Sequence, residues 1–299
     1  MMPHSLLATH LQRLLVVVKH STDPDGAYTQ RVCDCLQSHG KQVHVVRADF
    51  DTLDATLAQH RQHPPDFVIV IGGDGTFLRT AQYFAPCTIP MVGINRGHLG
   101  FLTRIETNSL EAYLQKLLAG EFHLEHRIML AVLPPVTHTV VHRMAINDVV
   151  IKTASPSQMA RMRLFLDEFH VADYDADGLI IATPTGSTAY NLAAGGPILS
   201  PNIGAMSITP ICPHSFTAKP VVIPDTYTLR IECSEKNSHP IVYTLDGHPP
   251  TELQKGESLT ITKAEHCLTL VDFEQPEDNF YWLLRQKLHW GNTPRKTGV

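Results

Sequence analysis

The sequence predicts an N-terminal α/β domain on a parallel sheet, then a β-rich, sandwich-like domain, with a C-terminal helix returning to the first. Three observations carry this prediction. β-Branched runs alternate with helical patterns from Leu14 to Ile94, the pattern of a parallel sheet covered by helices. From Ile128 onward the chain is a series of strand-length apolar or alternating segments, separated by Pro, Gly, Asn, Asp and Ser. The tail from Asn279 to Trp290 repeats apolar residues at helical spacing, with Phe280, Leu283, Leu284 and Leu288 on one stripe that needs a partner surface. The expected boundaries are 1–125, 126–270 and 271–299.

In order, the first part holds strands at Leu14 to Val18, Val43 to Val46, Phe67 to Ile71 and Pro90 to Ile94. Helices are expected between them at Gln30 to Gln37, Leu53 to Gln62 and Thr76 to Phe84. The second part holds strands at Ile128 to Leu133, Val140 to Ile151, Arg161 to Phe169, Leu179 to Ala182 and Met206 to Ile211. Further strands follow at Tyr227 to Ile231, Ile241 to Leu245, Leu259 to Ile261 and Cys267 to Val271. One helical interruption is expected from Ser187 to Ala194, stopped by Gly195-Gly196.

Composition narrows the function. With 299 residues, 43% hydrophobic and 18% charged, the chain is a folded globular protein with room for about two domains. Lys plus Arg (24) against Asp plus Glu (29) gives a net charge of −5, so no global basic field attracts nucleic acid or an anionic membrane. A polyanion must therefore be held by a local site. The six cysteines contain no Cys-x-x-Cys pair, which is read most simply as a reducing cytoplasm. No apolar run approaches the ~20 residues of a membrane-spanning helix. The 18 histidines are scattered without the paired spacing of a metal cage, and most are expected at the surface; no protein metal ligand is assigned.

The sharpest local signal is Phe67-Val-Ile-Val-Ile-Gly72-Gly73-Asp74-Gly75-Thr76-Phe77-Leu78-Arg79. A buried strand runs into a glycine turn with a helix behind it, so backbone N–H groups at the helix start face the space where an anion would sit. The spacing is neither Walker A nor Gly-x-Gly-x-x-Gly. A carboxylate among glycines, Asp74, is placed to accept a hydroxyl proton during phosphoryl transfer or to help hold magnesium. The alternative is an Asp-Gly turn that serves only the backbone.

A second segment repeats the strand-to-turn pattern: Asp177-Gly-Leu-Ile-Ile-Ala-Thr183-Pro-Thr185-Gly-Ser187-Thr188-Ala189-Tyr190-Asn191. Its hydroxyls are short donors for a phosphate or nucleoside, and Tyr190 can stack on a base. The plain alternative is a helix capped by Ser187.

Taken together with Val92-Gly-Ile-Asn-Arg-Gly-His-Leu-Gly-Phe-Leu102, Asn147-Asp148, Pro210-Ile-Cys-Pro-His214 and Leu245-Asp246-Gly247, these stretches resemble the NAD kinase family over most of the chain. The Gly-Gly-Asp-Gly element is shared with lipid kinases of the diacylglycerol and sphingosine type, whereas the block from Asp177 to Tyr190 resembles NAD kinases alone. The resemblance implies MgATP-dependent phosphorylation of the 2′-hydroxyl of the adenosine ribose of NAD, giving NADP. Asp74 would be the general base, and Asp74 and Gly75 would contact the dinucleotide. Asn147 and Asp148 would bind the adenosine end, and Thr185, Thr188 and Tyr190 would surround the adenine. Ala189, Asn191, Leu192 and Ala193 would line the pocket, Asp175 would be a further dinucleotide contact, and Asp177 with the region around Asp246 and His248 would lie toward the nicotinamide half. Arg79 and His98 would be phosphate contacts, against the equal alternatives of a solvated Arg and a capping His. The implied partners are NAD, ATP and a divalent metal ion, magnesium above others, in a homodimer or homotetramer.

Two departures stand out. Where the family usually has Asn-Glu, this chain has Asn147-Asp148, a carboxylate one methylene shorter. Where many bacterial relatives carry Arg two residues before the Asp-Gly pair, it has Asp175, a charge that would repel a phosphate. Two rival functions remain at this point: a lipid kinase of the diacylglycerol type, and a catalytically silent NAD-binding sensor. The sensor needs no base at Asp74, and the lipid kinase needs no block from Thr183 to Tyr190.

Overall fold

The computed structural model describes residues 11–60, 63–97, 100–106, 109–135, 143–155, 158–273 and 276–291. They form two compact units, one of the described residues up to His126 and from Thr269 onward, the other Arg127–Leu268.

The first unit begins with β1 (Arg13–Val18), α1 (Ala27–Ser38), β2 (Gln42–Arg47), α2 (Phe50–His60), β3 (Phe67–Ile71) and α3 (Asp74–Phe84). It continues through β4 (Met91–Asn95), β5 (Ile105–Glu106), α4 (Leu110–Ala119) and β6 (His123–Arg127). β1 pairs in parallel with β2 and β3, β3 with β4, and β4 with β5. β3 and β4 are buried at every position, which is why they read as unbroken apolar runs. The core joins Leu14 and Val16 of β1 and Ile69 of β3 to Val32 and Leu36 of α1. α4 was not among the expected elements, although it buries Leu110, Leu114 and Leu117 at helical spacing.

The second unit holds β7 (Leu130–Leu133), β8 (Met144–Ala145), β9 (Asp148–Thr153), β10 (Ala160–Leu166), β11 (Phe169–Ala176) and β12 (Gly178–Ala182). A 3-10 turn (Gly186–Thr188) and α5 (Tyr190–Ala193) follow, then β13 (Ala205–Ile211), β14 (Val221–Pro224) and β15 (Leu229–Cys233). β16 (Ile241–Leu245), β17 (Thr251–Leu253) and β18 (Ser258–Lys263) complete it. Among the described residues these strands make two six-stranded sheets, ordered β11-β10-β15-β18-β7-β8 and β14-β13-β12-β9-β16-β17. One core lies between them: Val132, Met162, Leu164, Ile231 and Ile261 from the first sheet meet Val149, Ile151, Ile181, Ile208 and Tyr243 from the second. This is the β-rich, sandwich-like architecture expected. The single strand expected from Arg161 to Phe169 is two, folded back at Asp167, which sits in the left-handed region at φ 52. The expected helix from Ser187 to Ala194 is broken at Ala189 into the 3-10 turn and one α-turn.

The chain ends with β19 (Leu268–Asp272) and α6 (Pro276–Leu288). β19 lies parallel to β4 in the first unit's sheet, whose order is β2-β1-β3-β4-β19-β6. Sequence grouped its residues with the β-rich part, but it is buried at every position, as a central strand covered on both faces must be. In α6, Phe280, Leu283 and Leu284 are buried, while Leu288 is exposed. No helix among the described residues is long and apolar enough to cross a membrane.

Candidate functional site

Gly72 and Gly73 turn the chain between β3 and α3, and Asp74 is the first helical residue. The first N–H groups of any helix lack an intrahelical partner, so this end, with Gly73 and Gly75 exposed, can take up an anion.

The Asp74 carboxylate does not dangle into that space. Its Oδ1 accepts the N–H of Leu102 (3.2 Å), the N–H of Thr103 (3.0 Å) and the hydroxyl of Thr103 (2.9 Å). Its Oδ2 accepts the N–H of Phe101 at 2.8 Å. Asn95, at the end of β4, donates its amide N–H to the Thr103 hydroxyl at 3.0 Å and so orients that hydroxyl toward Asp74. The loop can approach this closely because residue 100 is glycine: a Cβ there would lie 2.0 Å from Asp74 Oδ1. The conspicuous stretch from Val92 to Leu102 thus leads into a cradle for one carboxylate, formed by residues 100–103. Oδ1 is filled by three donors, whereas Oδ2 has one and keeps lone-pair capacity for a further hydrogen.

In the second unit, a cavity of about 470 Å³ is lined by Asn147, Asp148, Ala189, Tyr190 and His248, with Lys152 and Asp246 beside them. Its floor is set by Asp246, whose Oδ1 accepts the N–H groups of Asn147 (2.7 Å) and Asp148 (3.0 Å) and whose Oδ2 accepts that of Ile146 (2.7 Å). Asp246 takes up the left-handed conformation, φ 47, to do so. From the other side, Thr183 donates its hydroxyl to the Ile146 carbonyl at 2.6 Å and accepts the N–H of Gly186 at 3.0 Å. A Cβ at residue 186 would come within 2.0 Å of the Asn147 carbonyl oxygen. The Thr-Gly-Ser turn thus packs against Asn147-Asp148 by backbone contact. Burial and, after it, the charge of Asp246 push the Asp148 carboxyl up to about 7.

The structure brings Asn147, Asp148, Ala189, Tyr190 and His248 together at this cavity. Tyr190 is 45% exposed, open to a ligand, and His248 is a buried exception among mainly exposed histidines. Asp74 and Gly75 belong to the first unit. Thr185 is buried and accepts a hydrogen bond from Arg127 Nη1 at 3.4 Å; Thr188 donates to the Thr185 carbonyl at 3.2 Å. Asn191 is fully buried: its amide donates to the carbonyls of Ser187 and Pro197 and accepts the hydroxyls of Ser207 and Thr209. Those four bonds use the whole capacity of the side chain. Leu192 is half-buried and Ala193 exposed, and neither lines the cavity. Asp177 is exposed at the start of β12. Asp175 lies on β11 opposite Arg161, pairs with it at 3.2 Å, and lines a different cavity of about 620 Å³. Arg79 pairs with Asp54 at 3.8 Å, and His98 lies outside the described residues.

Sequence reasoning missed the residues that do the holding: Thr103 and Asn95 in the first unit and Thr183 in the second. Thr183 and Asn95 stand inside the motifs of the resemblance. Thr103 carried no signal of its own, because Asp74 is 29 residues away.

The family model for the ATP-NAD kinase N-terminal domain matches residues 4–122, and that for the C-terminal domain matches residues 146–273. An NAD kinase of Syntrophotalea carbinolica is 38% identical over 274 residues, covering 90% of this chain and 95% of that protein. An NAD kinase of Koribacter versatilis is 41% identical over 228 residues, 76% of this chain and 79% of its own. Among solved structures, an NAD kinase from Archaeoglobus fulgidus in complex with ATP superimposes with a TM-score of 0.74 at 25% identity, covering 92% of this chain and 99% of that one. Yeast NADH kinase complexed with NADH superimposes at 0.83 and 23% identity, over 96% and 90% of the two chains, and shares the fold.

Proposed function

The chain belongs to the NAD kinase family, and on that premise we propose that it transfers the γ-phosphate of ATP to the 2′-hydroxyl of the adenosine ribose of NAD, making NADP. The observation that carries the reading is the Asp74 cradle. A carboxylate with one filled and one available oxygen, fixed at a strand-to-helix turn, is a general base with a defined atom. In the step, the 2′-hydroxyl proton passes to Oδ2 as the ribose oxygen attacks the γ-phosphorus, and ADP leaves. The start of α3 would stabilise phosphate charge through its free N–H groups.

The cavity of the second unit supplies the dinucleotide contacts in this reading. Asn147 and Asp148 take the adenosine hydroxyls, Tyr190 stacks on the base, and His248 with Asp246 lies toward the nicotinamide half. Thr185, Thr188 and Asn191 shape the turn from behind, since their bonds run inward.

A divalent metal fits as a companion of the phosphates. Among the described residues no three His, Cys, Asp or Glu side chains form a cage, and Mg²⁺ commonly needs only one or two carboxylates beside phosphate oxygens and water. The phosphates and water would hold it, and it would neutralise charge on the transferred group. The free cysteines support a cytoplasmic location, and a homodimer or homotetramer remains the expected assembly.

The test is incubation with MgATP and, separately, NAD, NADH or diacylglycerol, with product mass as the readout. Phosphorylated NAD is the expected product. Phosphorylated diacylglycerol, or no phosphorylated NAD from folded protein, refutes the assignment.

A further inference from the structure

The cradle has a support of its own. Arg104 follows the loop directly, and its Nε donates to the Phe101 carbonyl oxygen at 3.2 Å. Its Nη1 is held by Asp272 at the end of β19 and forms an ion pair with Glu125 of β6 at 3.4 Å. All three side chains are buried or nearly so: 13% exposed for Arg104, 5% for Glu125 and 6% for Asp272. Phe101 is therefore gripped from two directions, its N–H donating to Asp74 Oδ2 and its carbonyl accepting from Arg104. Lys287 of α6 adds a cation 4.8 Å from the centre of the Phe101 ring.

We propose that Arg104 is a positioning residue for phosphoryl transfer: anchored by Asp272 and Glu125, it fixes the Phe101 peptide and, through it, the orientation of the Asp74 oxygen that takes the proton. A guanidinium suits this task because its nitrogens form a rigid fork, so two carboxylates on one side fix where Nε points on the other. An ammonium in the same place keeps the charge and loses the fork. The inference rests on Asp74 being the base, and it adds the residues that aim it.

Arg104→Lys in the full-length enzyme separates aiming from packing, because it retains a cation for the two buried carboxylates. The expected result is a kcat about 10- to 100-fold lower, the scale of a small misplacement of a reacting group. KM for NAD and for ATP should stay within about twofold, the signature of an interaction that matters only in the transition state. Amide hydrogen exchange in the segment from Gly100 to Arg104 should speed up, and Asp272→Asn should show both effects more weakly. The proposal is overturned by a folded Arg104→Lys enzyme with kcat within twofold of the parent. It is equally overturned by unchanged exchange in the loop, or by loss of cooperative melting in both variants, since the cluster would then serve stability alone. If Asp74→Asn retains turnover, the base assignment fails by itself, while the exchange measurement still reports whether Arg104 holds the loop.

Discussion

Two carboxylates, Asp74 in the first unit and Asp246 in the second, do the same thing: each accepts three successive backbone N–H groups from a segment distant in the chain. They differ in which partner faces the ligand. At Asp74 the backbone holds the carboxylate, and in the proposed reaction the carboxylate is the group offered to substrate. At Asp246 the carboxylate holds the backbone, and the strand start it fixes offers Asn147 and Asp148 to the cavity. One device thus fixes a carboxylate oxygen in one place and a strand start in the other. Damage to the first should appear in kcat, and damage to the second in KM for NAD.

The largest expected effect breaks the first arrangement at its centre. Asp74→Asn keeps size and one acceptor but cannot take the proton, so kcat should fall by about 10²–10⁴ while NAD still binds. Turnover near that of the parent would remove Asp74 from the role. Gly100→Ala tests the cradle without touching the base: the new Cβ would sit 2.0 Å from Oδ1 and must displace it. A loss of roughly a hundredfold in kcat with little change in KM is expected, measured beside the melting temperature to exclude unfolding.

The second arrangement should respond in binding. Tyr190→Ala removes the exposed ring at the cavity, and a base stacked on an aromatic contributes about 1–3 kcal/mol, so KM for NAD should rise roughly five- to hundredfold. Unchanged KM would make Tyr190 a bystander. Asp246→Asn places an amide N–H₂ among three N–H donors, and the strand start should shift. About a tenfold weaker NAD affinity by calorimetry is expected, with kcat at saturation reduced less. Equal losses in kcat and affinity would erase the distinction between the two carboxylates.

Much of this frame was legible beforehand, for a physical reason. β3 and β4 are buried on both faces, so they appear as the unbroken runs Phe67-Val-Ile-Val-Ile71 and Met91-Val-Gly-Ile-Asn95, and the glycine turn after β3 marks the site. Motif resemblance named Asn147, Asp148 and Tyr190, and the structure gathers them at one cavity. What escaped was pairing across long separations. Arg104 meets Asp272 168 residues away, and Asp246 meets Ile146 100 residues away. Asn191 reads as one more polar residue of a binding motif, yet Ser207 and Thr209, on β13, consume its carbonyl oxygen. Asp175 stands out as an unusual charge in sequence, and strand register explains it locally by setting it across from Arg161.

The smallest effect is also the one that separates the two carboxylates most finely. Asp246 can stay close to Asp148 because three N–H groups face it, and Asp148, buried nearby, is pushed up from 3.8 to about 7. In the folded protein Asp148 therefore holds a proton that the unfolded chain releases between about pH 4 and 7, so its contribution to stability falls as pH rises through that window and levels off above it. An adenosine hydroxyl donating to Asp148 favours the ionised form, so NAD affinity should rise by roughly three- to tenfold from pH 6 to 8. Asp148→Asn should flatten both dependences. Asp246→Asn should weaken them by removing the neighbouring charge. His248, Lys152, Tyr190 and Asp246 line the same cavity, so His248→Gln is the control that must keep the slope. If the slope survives in Asp148→Asn and vanishes in His248→Gln, the histidine carries the pH response. Asp148 is then a structural acid whose proton takes no part in binding.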